Sequence, residues 1–333
     1  MRSIKLPSWS ESLLGLSPVA PPPHVFRVDG HTVEYAGFER RADGLVLLRA
    51  DGVELDPETF QEGLLGGPAR EPAGLRGRVA ELVQRLDGVR DATLVLPDAW
   101  LRLAFVDVAR LPSAAKERDD VLRWKLKRLV PFRVEELRLA AEEIEPLPQQ
   151  NSEEPHRLLL GFGIDALLAQ LEDAFEAAGV RIGRITSESL ALLSAVVAGG
   201  AAGNGGGLTA LTLVEDGGYT LAFLLHGLPV LHRYKGFAGH LPDASRAGMV
   251  TRDLRLTRTF LEDSFPELRV ERALVAAPQG AGEPWLDWLS ESLEAPAQLL
   301  TRSDLPPVEA TAHGLEWQRL APMVGAASQE VAA

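Results

Sequence analysis

The chain has 333 residues, 46% of them hydrophobic, which is enough for a large core and for two domains. Its 47 acidic side chains outnumber 34 basic ones, and a formal charge of −13 disfavours polyanions, so no nucleic-acid role is expected. With no cysteine, a disulfide framework, a thiolate nucleophile and a cysteine-ligated zinc site are excluded.

Residues 1–23 read as a flexible arm. Leu13, Leu14 and Leu16 are too few for a signal-peptide core, and Pro21-Pro22-Pro23 forms an extended spacer. Three strands follow, His24–Val28, His31–Phe38 and Leu45–Ala50, with Asp29-Gly30 and Ala42-Asp43-Gly44 as turns, and then a helix, Leu75–Leu86. Next comes Leu96–Leu137. Leu101, Leu103, Phe105, Val106 and Val108 make an apolar strand after Pro97-Asp98. Ser113 is the expected N-cap of a helix reaching about Leu129, acidic early (Glu117, Asp119) and basic late (Arg123, Lys125, Lys127, Arg128), as the helix dipole favours. Val130-Pro131-Phe132 stops it, because the residue before proline avoids the helical region.

After a polar break at Gln149–Pro155 the spacing predicts a strand at Leu158–Ile164, a helix at Ala166–Ala178 closed by Gly179, a strand at Ile182–Thr186 and a helix at Ser187–Val197. The run Ser189–Val214 is uncharged and long enough to cross a bilayer, but its glycines break it into helix end, loop and strand. Strands Leu208–Val214, Thr220–Leu225 and Leu228–Lys235 then repeat the three-strand opening. A helix at Arg252–Phe265, a strand at Arg272–Ala276 and a helix at Glu283–Leu293 complete this half, with Trp285, Trp288 and Leu289 on one face for burial.

The sequence of Leu96–Leu137, a strand, Leu-Pro-Ser, an amphipathic helix with a tryptophan and a hydrophobic-Pro-Phe turn, closely resembles the insert of the PilM family. These are the actin-like inner-membrane platform proteins of type IV pilus machines. Val180–Leu193, Leu208–Gly239, Glu271–Leu300 and Leu320–Ala327 resemble further parts of that family, so the likeness covers most of the chain from about His24. It implies an α/β, actin-like ATPase (ribonuclease-H-like) two-domain fold with a PilM/FtsA-type insert subdomain and a reduced second-domain subdomain. On that pattern residues 24–88 and 157–200 build the first domain, 308–333 return to it, 89–156 are the insert and 208–307 the second domain. The recurring βββα order is the duplication this fold expects.

Actin-like ATPases point backbone N–H groups of two glycine-rich turns at phosphates and hold magnesium through carboxylates. The first turn here is Asp29-Gly30-His31-Thr32, shortened and without the family's serine run. The second is Glu215-Asp216-Gly217-Gly218-Tyr219-Thr220, where bulky Tyr219 is expected to intrude. The adenosine loop is replaced by Ala276-Ala277-Pro278-Gln279-Gly280-Ala281-Gly282, and Pro278 removes a donor. Too few residues separate Gly239 from the helix near Arg252 for the helical subdomain that walls the family's nucleotide cleft. If nucleotide binds, Asp29, Gly30, Asp216, Gly217 and Gly218 would hold it with magnesium; the expectation is no cofactor, no metal and a pseudo-ATPase. His226, His232 and His240 lack an acidic or cysteine partner at ligand spacing, Ser187-Glu188 matches no nucleophile signature, and Arg123–Arg128 is either a solvated helix end or a site for lipid phosphates.

The resemblance implies a non-catalytic cytoplasmic scaffold, peripheral on the inner-membrane face. It would bind the N-terminal cytoplasmic tail of a PilN-like bitopic membrane protein and couple the envelope complex to a pilus motor ATPase. Arg102, Phe105, Trp124, Arg128 and Phe132 would form groove or rim, with core packing equally open to Phe105 and Trp124. The alternatives are an actin-like ATPase retaining nucleotide, and a GspL-like module of type II secretion.

Overall fold

A computed structural model describes residues 22–42, 44–131, 133–145, 153, 156–203, 205–237, 243–310 and 315–328. In chain order the elements are β1 (His24–Val28), β2 (Thr32–Arg41), β3 (Gly44–Glu54), α1 (Pro72–Gln84), β4 (Asp91–Leu96), β5 (Arg102–Val108), α2 (Ala115–Lys127), β6 (Leu137–Ile144), β7 (His156–Ile164), α3 (Asp165–Ala177), β8 (Arg181–Ser187) and α4 (Glu188–Ala198). There follow β9 (Leu208–Glu215), β10 (Gly218–Leu225), β11 (Leu228–Gly236), α5 (Asp243–Ser264), β12 (Val270–Ala276), α6 (Glu283–Leu293), β13 (Ala297–Leu299), β14 (Val308–Ala310) and α7 (Trp317–Ser328).

Two large sheets result. The first has the order β14-β3-β2-β1-β4-β8, the second β11-β10-β9-β12-β13. In each, an antiparallel three-strand meander is extended by parallel strands: β1 pairs antiparallel with β2 but parallel with β4, and β9 pairs antiparallel with β10 but parallel with β12. Being central, β1 and β9 are covered on both faces, so most of their residues are apolar or, like Thr209 and Thr212, small and buried, instead of alternating with exposed polar ones. The exception is Arg27 in β1, a buried cation that must find partners.

One face of the first sheet packs on α1 and α3. In α3, Leu167, Leu168, Leu171, Ala174 and Phe175 recur at helical spacing and meet Phe26, Leu82 and Leu94. The outer face of the second sheet is covered by α5 and α6 through Leu254, Leu261, Trp285 and Leu289. Between the two sheets lie α4 and α7. Leu192, Val196 and Ala321 of that pair meet Leu211, Leu224 and Leu274 of the second sheet, while Ala191, Met323 and Val324 meet Val25, Phe38 and Val95 of the first. The two helices cross at backbone contact, and a Cβ at Gly325 would overlap the Ala191 carbonyl oxygen.

A third sheet, β5-β7-β6, forms the insert, with α2 packed on it through Leu122 and Leu126. Strand pairing moves the insert's bounds from 89–156. β4 belongs to the first sheet, because its run from Ala92 to Leu96 is buried between β1 and β8, and β7 lies at the centre of the insert sheet. Three further expectations are corrected. The residue flanking α2 is Ala114, in extended conformation, so Ser113 makes no side-chain cap. β3 runs on to Glu54 because Thr32 to Ala36 continue to pair with it. And α5 begins at Asp243, well before Arg252, so much of the presumed loop is one longer helix. Residues 1–21, Phe132 and His240 lie outside the described residues.

Candidate functional site

The turn between β1 and β2 is built by Asp29. Its Oδ1 accepts hydrogen bonds from the backbone N–H groups of His31 (2.7 Å) and Thr32 (2.8 Å), and its Oδ2 pairs with Arg27 Nη1 at 2.8 Å. The N–H groups that a phosphate would need there are therefore engaged by the chain's own carboxylate. Gly30 has neither a positive φ nor a crowded Cβ position, so the turn does not demand a glycine. Burial alone would raise the Asp29 carboxyl, but Arg27 and the two N–H groups outweigh it and hold it below its usual range.

Arg27 is the hub. Its Nε donates to Glu188 Oε1 (2.7 Å) at the start of α4, and its Nη1 to Asp29 and to Glu34 Oε2 (3.0 Å). Glu34 also pairs with Arg319 of α7. Burial works against the guanidinium's charge; Glu188, Asp29 and Glu34 overcome it and hold its pKa above the ordinary value. Three carboxylates thus converge on a protein cation.

The second turn is a tight hairpin in which Glu215 pairs with Gly218 and Asp216 and Gly217 are exposed at the tip. Tyr219 does not intrude on the cleft. Strand alternation turns it into the second-domain core, fully buried, where its hydroxyl donates to Asp253 Oδ2 at 2.8 Å. Alternation sends its neighbour Thr220 the other way, and Thr220 Oγ1 donates across the domain boundary to Asp98 Oδ2 at 2.9 Å.

Asp98 is the residue that sequence reasoning missed. It is completely buried in the turn after β4, and it also accepts from Ser189 Oγ on Oδ1 (2.7 Å), while its backbone N–H donates to Glu215 Oε1 (3.0 Å). Ser189 Oγ lies 2.7 Å from His232 Nε2 on β11. With the serine proton given to Asp98, His232 donates from Nε2, which leaves its buried Nδ1 without a partner among the described residues. Burial lowers His232 to about 4 and keeps it neutral. It raises Asp98 to about 6 against hydrogen bonds from Ser189 and Thr220. Glu215 stands well above its usual range, through burial and then the neighbouring Asp98 and Glu188. Although Asp, Ser and His form one chain here, serine is the middle member and is buried, whereas a nucleophile triad needs histidine in the middle and an accessible hydroxyl. The chain is a latch across the cleft between β4, α4, β10 and β11.

Beside residues 276–282 a cavity of about 190 Å³ is lined by Ala277, Pro278, Gln279, Leu299, Leu300 and Trp317. The other residues marked by the sequence fall on two sides of the insert. On β5, Arg102 donates to the Leu64 carbonyl and lies 4.7 Å over the Tyr234 ring, and Phe105 is stacked by Arg157, whose Nη2 donates to Val230 O at 3.1 Å. The Tyr234 and Val230 contacts tie the insert to the second domain, and the Leu64 contact ties it to the first. Trp124 and Arg128, 5.2 Å apart in a cation–π contact, sit on the solvent side of α2, whose opposite side packs on the sheet. The structure brings Trp124 and Arg128 together, while Arg102 and Phe105 make separate contacts along β5. Among the described residues no group of His, Asp and Glu has the arrangement of a metal site, and no helix is long and apolar enough to cross a membrane.

No protein-family model matches the sequence, and no curated protein matches it significantly. Solved structures do. A chain of a PilM–PilN type IV pilus biogenesis complex superposes at TM-score 0.70 with 17% identity, over 95% of this chain and 98% of that one. A Bacteroides thetaiotaomicron protein "with actin-like ATPase fold and unknown function" gives 0.50 with 11% identity, over 83% and 90%. The fold is actin-like. The cytoplasmic domain of EpsL, an inner-membrane component of the Vibrio cholerae type II secretion system, matches at 0.47 with 12% identity, over 92% and 94%. The Arg27 cluster gathers at the β1–β2 turn, and the Asp98 latch joins the end of β4 to α4, to β10 beside the β9–β10 turn, and to β11.

Proposed function

We propose that this protein is a nucleotide-free scaffold of a type IV pilus assembly machine, cytoplasmic and peripheral on the inner-membrane face. It holds the N-terminal tail of a PilN-like bitopic membrane protein and couples the envelope complex to the pilus motor. The observation that carries the loss of nucleotide is the state of the phosphate turns. Asp29 caps its own turn, Arg27 takes up three carboxylates, and Asp98 and Glu215 link the two domains through a buried cleft. A polyphosphate entering there would meet Asp29, Glu34, Glu188, Asp98 and Glu215, with Arg27 already engaged, and would have to break the latch. Similarity to the PilM–PilN chain over nearly its whole length supports the partner class.

The tail is placed against the insert. β5 faces the second domain, while β6 is an edge strand with no further strand on its outer side among the described residues, and an extended segment laid along it gains backbone hydrogen bonds and drops alternate side chains beside Leu139. On this reading Arg102 and Phe105 fix the insert's position, and Phe105→Ala weakens tail binding indirectly. Calorimetric titration with magnesium ATP should give no heat; micromolar binding would overturn the nucleotide-free reading. Co-purification from cells carrying the neighbouring envelope genes should recover a single-span membrane protein, and its absence would count against the scaffold.

A further inference from the structure

Helix α2 buries Leu122 and Leu126 in the insert, and its other side ends in an unusual surface. Trp124 and Leu129 are each 56% exposed, and Lys127, Arg128, Pro131 and Arg133 are exposed with them. From Arg123 to Arg133 the chain carries five cations and no carboxylate, inside a protein of net charge −13. Arg123 pairs with Asp119 and donates to the carbonyls of Val134 and Leu137, and Arg133 pairs with Glu136. Lys127 and Arg128 form no ion pair among the described residues; Arg128 lies 5.2 Å and Lys125 6.0 Å from the Trp124 ring centre. The nearest acids in sequence, Asp119 and Asp120 on the helix and Glu135 and Glu136 beyond Arg133, bracket the basic end, and Asp119 and Glu136 pair with its two outermost cations, Arg123 and Arg133.

We infer that this helix end docks on the headgroups of an anionic bilayer, with Trp124 and Leu129 entering the interface and Lys127 and Arg128 meeting lipid phosphates. An indole with one polar edge and long cationic side chains that reach outward from it is the composition of the headgroup zone. Charge complementarity selects anionic lipid. With screening over roughly 8 Å at physiological salt, the basic end feels the surface while the acidic remainder of the protein does not, and this sets which side faces the membrane. The contact is intrinsic to the chain and does not rest on the tail.

The test is sedimentation of the full-length protein, without tail, with phosphatidylcholine vesicles lacking or containing phosphatidylglycerol. The expected result is binding to the anionic vesicles alone, weakened by salt. Trp124→Ala with Leu129→Ser should lower the bound fraction about tenfold, and Lys127→Glu with Arg128→Glu should do so at least as strongly. Because all four side chains are exposed, thermal unfolding should not move. Wild-type protein that ignores anionic vesicles, or variants that bind them undiminished, would overturn the inference. So would loss of tail affinity in Trp124→Ala with vesicle binding intact, which would make the helix end a protein-binding surface. Tail binding that fails while vesicle binding persists would overturn the scaffold reading and leave this one standing.

Discussion

Asp98 and His232 lie at the two ends of one hydrogen-bonded chain through Ser189, and burial acts on them in opposite senses. Folded Asp98, raised from 3.8 to about 6, keeps a proton that the unfolded chain releases, so its contribution to stability falls as pH rises across that window. Folded His232, lowered from 6.5 to about 4, refuses a proton that the unfolded chain takes up, so its contribution falls as pH drops from 6.5. Between pH 4 and 6 the two slopes oppose each other. Asp98→Asn removes one and also relieves part of the upward push on Glu215 and Glu188, which burial raises first and Asp98 raises further. Denaturant unfolding of that variant should show stability climbing from pH 4 to 6.5, at a limit of about 1.4 kcal/mol per pH unit. His232→Gln should show the reverse trend; a flat profile in both would refute the latch. None of this was legible in the sequence, where Asp98 is a turn residue after a proline and His232 a strand-end histidine. Positions 98, 189, 220 and 232 come from four elements in both domains, and no local spacing signals their convergence.

Elements that bury one clean stripe were readable. α6 has the predicted bounds Glu283–Leu293, and in α3 five apolar residues at helical spacing place the helix to within a residue. β6 is not legible, since LRLAAEEI is a half-exposed edge strand with a charge density that suggests loop, and sequence adjacency hides the pairing of β4 with β1 and β8. α2 shows both outcomes. Val121, Leu122, Leu126 and Leu129 recur at helical spacing with Trp124 on a flank, and the structure buries Leu122 and Leu126 but leaves Leu129 exposed past the helix end. The structure puts Leu126 in the core with Phe162 and Val134. Leu126→Ala should cost about 2–4 kcal/mol and Trp124→Ala less than about 0.5 kcal/mol in thermal or urea unfolding. The opposite order would mean that α2 packs by its other side.

For the whole molecule, the two-domain, duplicated βββα plan followed from the repeat in the sequence and the family resemblance. The closed cleft did not, because closure depends on side chains contributed across the boundary. Domain relation rests on the α4–α7 layer as well as on the latch, and the crossing tolerates no side chain at Gly325. Gly325→Val should force the helices apart and cost about 1–3 kcal/mol, with both domains destabilised together in calorimetry; a change confined to one would show that the layer does not couple them.

That layer also sets an order of events. The inner face of the first sheet, with Val25, Phe38, Leu45 and Val95, is closed by Leu320, Met323 and Val324 of α7, and its edge by β14. A ribosome delivers the residues of the second sheet before either. During synthesis the half that begins first is therefore finished last, with an apolar sheet face uncovered while the later half folds. That interval is when the nascent chain is most exposed to misassociation and to capture by chaperones.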